Sequence, residues 1–167
     1  MYRENAWKSY KAIDIKKVYK FAEDYKNYLS VSKTERLATK EAVRLLNEAG
    51  FKDASTLKSI KKGDKVYFVN KNKNLAAFVI GNKPLVEGLR ILGAHIDSPR
   101  MDFKEHPLYE KGGFAYADTH YYGGIKKYQW VTIPLALHGV VCKKDGTVID
   151  VNIGEDDNDP VFGITDL

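Results

Sequence analysis

Apolar side chains recur at three- and four-residue steps in two stretches near the start of the chain. This spacing predicts two amphipathic helices. The first runs from about Asp14, the predicted N-cap, to Leu29. The second is expected to begin with a capping box formed by Ser32 and Glu35, and to end at Gly50, where a left-handed C-cap residue belongs.

Beyond residue 52 the spacing becomes that of strands. Two β-rich runs, residues 65–69 and 75–80, flank a short Asn-rich connection and predict a hairpin, which a turn at Gly63-Asp64 precedes. A third apolar run, residues 89–94, predicts a buried strand. Two helices followed by such strands favour an α/β sandwich core.

The second half of the chain has strand patterns and no helix pattern. Met101 and Phe103 alternate with charged residues, as in a half-exposed strand. Further strands are predicted at residues 128–137, 140–142 and 147–153, with a hairpin turn at 143–146 joining the last two. We therefore place a domain boundary near Glu105.

Candidate chemistry follows directly after the third apolar run, where His95 and Asp97 precede Ser98-Pro99. In extended chain an imidazole and a carboxylate two residues apart point to the same side. Open α/β sheets bind ligands beyond the carboxyl ends of their strands. A metal-binding histidine usually has a carboxylate or carbonyl partner that fixes its tautomer. By themselves, however, two such residues are more often structural than metal-binding.

Composition excludes several classes of protein. The 44% hydrophobic and 29% charged residues are typical of a globular chain, and no apolar run approaches the roughly 20 residues of a membrane helix. The net charge of +5 comes from lysines interleaved with acidic residues, without an RNA-binding signature, so neither a membrane nor a nucleic-acid partner is expected. The charged N-terminus has no secretory signal, and one cysteine, Cys142, forms no internal disulfide; we predict a cytoplasmic protein.

The longer string around His95, GAHIDSPRMDFK at residues 93–104, favours the metal-binding interpretation of the motif. It resembles the first metal-ligand segment of the di-metal aminopeptidase family that includes aspartyl aminopeptidase and vacuolar aminopeptidase I. Residues 82–85, 107–110, 120–125 and 130–139 are also similar to this family. Essentially the whole chain therefore resembles the N-terminal part of such an enzyme.

The resemblance implies a fold. Residues 1–104 would be the start of an α/β metallopeptidase catalytic domain, and residues 105–167 the start of an inserted β-rich dimerisation domain, both incomplete. It also implies a homo-oligomer, with a dimer as the building block of a dodecamer. The apolar end of the chain, residues 161–167, agrees with a truncated chain.

The resemblance also implies the site. His95 would bind one of two metal ions, usually zinc with cobalt or manganese as alternatives, and Asp97 would support it. The reaction would be removal of N-terminal residues from peptides by metal-activated water, with a downstream glutamate as general base. Because the other metal ligands of the family lie beyond residue 167, we expect this fragment alone to be inactive.

Other residues receive structural interpretations. His106 and His138 are taken as structural, and so is His120, with an approach to a neighbouring subunit's site as its alternative. Cys142 is interpreted as a small hydrophobe, and Ser98 has no visible base. The alternative function is a non-catalytic assembly or dimerisation module, or a decayed gene product. The preferred N-terminal residue of the substrate stays open.

Overall fold

The computed structural model describes residues 3–166, which form two compact units that divide between Ile96 and Asp97. The first unit contains two long helices and a three-stranded sheet, and the second contains two β-hairpins and one short helix. Helix and sheet are therefore mixed, as predicted. The domain limits predicted from sequence, 1–104 and 105–167, concern the whole protein and stay a prediction.

Helix α1 spans Ala12–Val31, close to the predicted range. The predicted N-cap is wrong by one turn. The N-cap is Lys11, and its backbone N–H donates to the Asp14 carboxylate at 3.1 Å. Asp14 therefore lies inside the first turn, where a negative charge also complements the positive end of the helix dipole.

Helix α2 spans Glu35–Glu48, and its N-cap is Thr34. The Thr34 hydroxyl accepts a hydrogen bond from the backbone N–H of Leu37 at 3.3 Å. The predicted capping box of Ser32 and Glu35 is wrong, because Ser32 instead ends α1, with its N–H donating to the Leu29 carbonyl. Both helices therefore extend or begin about two residues later in the chain than the pattern predicts.

The predicted end of α2 is confirmed. Gly50 has a φ of +81°, the left-handed conformation that glycine adopts without strain. Its N–H donates to the Asn47 carbonyl at 3.0 Å, and the N–H of Phe51 donates to the Leu46 carbonyl at 2.9 Å. These two bonds form the Schellman motif, which satisfies carbonyl groups that the helix leaves open.

The sheet of the first unit has the order β1-β2-β3. Strand β1 (Lys52–Asp53) is parallel to β2 (Lys65–Asn70), and β2 forms the predicted hairpin with β3 (Asn74–Val79). The Tyr67 hydroxyl donates to the Asn47 side chain at 3.2 Å, so α2 lies on the Tyr67 face. Val66, 1% exposed, lies on the opposite face. The buried residues among those described are Ala38, Thr39, Ala54, Val66 and Tyr67.

The predicted buried strand at residues 89–94 is wrong for this chain. The segment has no regular secondary structure, and Ile91 and Leu92 are 80% and 102% exposed. A strand exists only where a neighbouring strand completes its ladder of hydrogen bonds. Within residues 3–166 no strand pairs with this segment, so its apolar composition is not matched by burial.

The first hairpin of the second unit joins β4 (Arg100–Lys111) to β5 (Phe114–Tyr122) through Gly112 and Gly113. Its register shifts between Phe103 and Leu108, where Pro107 cannot donate to the ladder and His106 has a φ of +49°. The pattern had predicted only the beginning of β4. The predicted domain boundary at residues 104/105 falls within this strand.

The second hairpin joins β6 (Leu137–Cys142) to β7 (Val148–Ile153), with the turn where it was predicted. The expectation of a strand over residues 128–137 is wrong, because residues Lys127–Trp130 form a short helix, α3. Aromatic and β-branched residues favour strands only when a partner is present, and local context overrides that preference here.

The chain buries little of its surface. Its solvent-accessible area is 14366 Å² for 18.9 kDa, whereas two separate compact halves of that mass would expose about 10,000 Å² in total. Much of the excess is apolar and includes Leu85, Val86, Ile91 and Leu92. No helix within the described range is long and apolar enough to cross a membrane.

The two serine and threonine positions before α2 provide a test of its cap. We expect Thr34→Ala to lower the free energy of unfolding by about 1 kcal/mol, because the hydroxyl that caps the helix is lost. Ser32→Ala should be neutral or slightly stabilising, because the buried Ser32 hydroxyl oxygen has no hydrogen-bond partner within residues 3–166. Urea denaturation measures both, and the opposite ranking would contradict this assignment of the cap.

Candidate metal-binding segment

His95 lies near the end of the first unit, in the irregular segment that follows the exposed apolar run. Its side chain is exposed and does not lie in an apolar core. The ring is therefore accessible to a metal ion or a substrate. The local conformation differs from the predicted strand end, because residues 88–99 include no strand.

Asp97 begins the second unit and is half-buried. Its Oδ2 accepts a hydrogen bond from the hydroxyl of Tyr122 at 2.8 Å. Tyr122 is the last residue of β5 and pairs with Arg100, the first residue of β4. The hairpin thus brings Asp97 next to a residue that is 25 positions away in the chain.

The ring of Tyr122 is covered by a charged side chain. The Arg100 guanidinium carbon lies 4.1 Å from the ring centroid, a cation–π distance. The Arg100 Nε donates to the Asp102 carboxylate at 2.7 Å. Sequence reasoning missed Tyr122, because only the strand register places it beside Asp97.

A close backbone contact lies beside this pair. Gly123 has a φ of +78°, and a Cβ added there would lie 3.5 Å from atoms of Pro99. The chain just before β4 therefore packs against the chain just after β5.

The remaining histidines have contacts of their own. His106 lies at the β4 bulge, and a ring nitrogen of His120 lies 3.3 Å from the Tyr121 carbonyl. A ring nitrogen of His138 lies 3.0 Å from a carboxylate oxygen of Glu155. The contacts of His120 and His138 are with neighbouring groups of the second unit. Cys142, expected to act as a small hydrophobe, is exposed on β6.

In the acidic segment after β7, a carboxylate accepts hydrogen bonds from backbone N–H groups of the same segment. The Asp159 carboxylate accepts hydrogen bonds from the N–H groups of Gly154 at 2.7 Å and Asp156 at 3.3 Å. The hydrogen bond from Gly154 is the main reason that the pKa of Asp159 lies below its usual value. This carboxylate therefore stabilises a turn.

Comparison with known proteins identifies the family. Residues 28–167 match the family model described as aminopeptidase I zinc metalloprotease (M18). The chain belongs to the M18 aminopeptidase family. This confirms the family resemblance found in the sequence, and with it the interpretation of the string around His95 as a segment of a zinc metalloprotease family.

Relatives of this M18 chain are similar along its whole length. It is 50% identical to a probable M18 family aminopeptidase 1 of Clostridium acetobutylicum, over 98% of this chain and 36% of the relative. The crystal structure of an M18 aminopeptidase of Thermotoga maritima is 46% identical, with a TM-score of 0.87 over 100% of this chain and 36% of that chain. Aminopeptidase I of Borrelia burgdorferi B31 is 38% identical, with a TM-score of 0.90 over 98% of this chain and 41% of that chain.

This M18 chain spans about a third of the length of the curated relatives that it matches. Its donors fit zinc in kind, since imidazole nitrogen and carboxylate oxygen are both zinc ligands. They do not fit in number. In residues 3–166 no group of three or more histidine, cysteine, aspartate or glutamate side chains could hold a metal ion. A catalytic zinc site uses about three protein ligands and an open position.

Zinc binding by residues 1–167 is expected to be weak. After removal of loosely bound metal by a chelator and desalting, we expect clearly less than one zinc ion per chain, because too few donors converge. His95→Ala should change this value little. Zinc content by atomic emission checks both, and a full equivalent of zinc that His95→Ala removes would contradict this account of the donor set.

Proposed function

We propose that the whole protein containing this chain is a zinc aminopeptidase that removes N-terminal residues from peptides. The observation that carries this proposal is the match of residues 28–167 to the M18 zinc metalloprotease family. The accessible ring of His95, followed two residues later by Asp97, supports it. Peptides are accordingly the proposed substrates.

His95 is the proposed ligand of one of two metal ions, and Asp97 is the proposed partner that orients its ring. The other ligands and the general base would come from parts of the protein outside this chain. When bound, two divalent metal ions would supply an activated water and a polarised carbonyl. Zinc is the proposed metal, and cobalt or manganese are alternatives.

Exposed apolar surface supports the proposal that residues 1–104 are part of a larger catalytic domain. Ile91 and Leu92 are consecutive, so in extended chain they point to opposite faces, and both are almost fully exposed. A segment that is apolar on both faces is typical of a central strand with layers on both sides. We propose that further parts of the protein pair with and cover this segment.

The second unit supports the proposal of an inserted dimerisation domain at residues 105–167. The rings of Tyr109 and Tyr116 stack at 5.4 Å near the tip of the first hairpin, where Leu108 and Phe114 are exposed. An isolated two-stranded hairpin is only marginally stable in water, so such apolar groups favour a protein partner. A homo-oligomer, with a dimer as the unit of a dodecamer, and a cytoplasmic location complete the proposal.

A second candidate is a non-catalytic assembly module or a decayed gene product. It is favoured by the missing convergence of three metal donors within residues 3–166. The reading frame beyond codon 167 separates the two candidates. Continuation into further carboxylate and histidine ligands supports the enzyme, whereas a stop codon supports the module.

Substitution of His95 tests the proposed function in the whole protein. His95→Ala should lower kcat/KM for an aminoacyl anilide more than about a hundredfold, since loss of an outer partner of a metal ligand already costs 10- to 100-fold. His106→Asn is the matched control, because asparagine tolerates the φ of +49° at that position. It should keep activity and zinc.

Residues 1–167 alone should not cleave the same substrate with any added divalent metal. Metal-dependent cleavage by the purified short chain would contradict the proposal that further ligands are needed. So would a fully active His95→Ala protein.

The apolar segment gives a separate test of the missing cover. Leu92→Ser and Ile91→Ser should each change the free energy of unfolding of residues 1–167 by no more than about 0.5 kcal/mol. In the whole protein each should cost about 2–5 kcal/mol, as for core positions. Thermal and denaturant unfolding measure both forms. Equal small effects in both forms would show that the segment stays exposed.

A further inference from the structure

We propose that the outer edge of strand β3 (Asn74–Val79) is a self-association surface through which two copies of this chain join their sheets. The occupant of the edge is β3 of a second copy, paired in the antiparallel sense. The two three-stranded sheets then form one continuous six-stranded sheet. The inference concerns residues 1–167 as a chain on their own and goes beyond the proposed function, which assigns dimerisation to residues 105–167.

Strand β3 is an edge strand whose outer hydrogen-bonding groups are open. The sheet has the order β1-β2-β3, and no strand in the part of the chain that the structure describes pairs with the far side of β3. The Ile80 N–H donates to the Asp64 carbonyl at 2.9 Å, on the β2 side. Because these groups alternate between the two sides along a strand, those of Leu75, Ala77 and Val79 point away from β2. Such a row is a template for another strand.

The edge lacks the features that usually protect an edge strand. Natural edge strands commonly carry lysine, proline or a bulge. Residues 75–80 (LAAFVI) include no charged residue and no proline, and the register with β2 runs along the whole strand without a shift. Phe78 and Val79 are 45% and 65% exposed. The edge is therefore regular, apolar and accessible to another strand.

The edge is complementary to a second copy of itself. With Ala77 of the two copies opposite each other, Leu75 of each copy lies opposite Val79 of the other. On the other face, Ala76 lies opposite Phe78. The three outward-pointing residues of each copy then exchange backbone hydrogen bonds across the pair. Apolar side chains meet on both faces without like charges, and the isologous arrangement closes as a dimer.

The exposed area is sufficient for such a dimer. The chain exposes roughly 4,000 Å² more than two compact halves of its mass would, and a stable interface needs about 800 Å² from each partner. Leu85 and Val86, which follow β3 in the same unit, are largely exposed. The strand pair and the adjoining apolar side chains can together supply the required area.

Charges introduced at Ala77 test the pairing. Light scattering of residues 1–167 should give twice the mass of 18.9 kDa at high protein concentration, and the monomer mass on dilution. Ala77→Lys and Ala77→Glu should each weaken the dimer at least about tenfold, since each places two like charges directly opposite each other. An equal mixture of the two variants should dimerise again. Asn74→Lys is the matched control, because it adds the same charge opposite Ile80 of the second copy, and it should stay dimeric.

A disulfide cross-link locates the contact independently of charge. In a Cys142→Ser background, Ala77→Cys should give a covalent dimer on mild oxidation, because the Cα atoms of a hydrogen-bonded antiparallel pair lie about 5.5 Å apart. Asn74→Cys should not, because the two introduced thiols would lie about 20 Å apart along the paired strands.

A chain that stays monomeric at all concentrations would leave this edge to another strand of the whole protein and would overturn the inference. A dimer that Ala77→Lys leaves unchanged would be held by another surface, with the same consequence. So would charge variants that fold and remain monomeric when mixed. If the charge variants fail to fold, which circular dichroism detects, the cross-link alone decides. None of these results bears on the proposed catalytic function, since all concern residues 1–167 alone.

Discussion

A catalytic zinc ion requires about three protein donors that converge from different parts of a fold. No single strand end can supply them. This requirement bears on the exposed segment that contains His95. His95, a candidate ligand with an exposed side chain, belongs to a segment that pairs with no strand within residues 3–166, and the nearby apolar side chains are exposed. Under the proposed function, other parts of an M18 protein would complete both the site and the core.

In the second unit, by contrast, strand pairing within this chain places the residues near Asp97. The antiparallel register places Tyr122 opposite Arg100, and the cation–π contact and the ion pair to Asp102 then hold the tyrosine. The carboxylate of Asp97 accepts a hydrogen bond at 2.8 Å from the hydroxyl of Tyr122, the last residue of this hairpin.

Sequence patterns predicted the elements whose stability is local. Both long helices, the Gly50 end of α2, the β2–β3 hairpin and the β6–β7 turn depend on residues that are close in the chain. The failures depend on partners. Residues 89–94 are apolar enough for a core strand but have no neighbouring strand here, and the aromatic stretch 127–130 forms a helical turn. The cap of α2 was misplaced by two residues because serine and threonine are both good caps.

The candidate site divides in the same way. His95 and Asp97 could be found from a short motif, since both lie within three residues. Tyr122 could not, because its relation to Asp97 exists only once the hairpin has formed.

Anomalous diffraction at the zinc absorption edge from crystals of the whole protein tests the central claim most directly. The account predicts a zinc peak about 2.0–2.1 Å from a ring nitrogen of His95. Zinc peaks surrounded entirely by other residues, with none near His95, would contradict it.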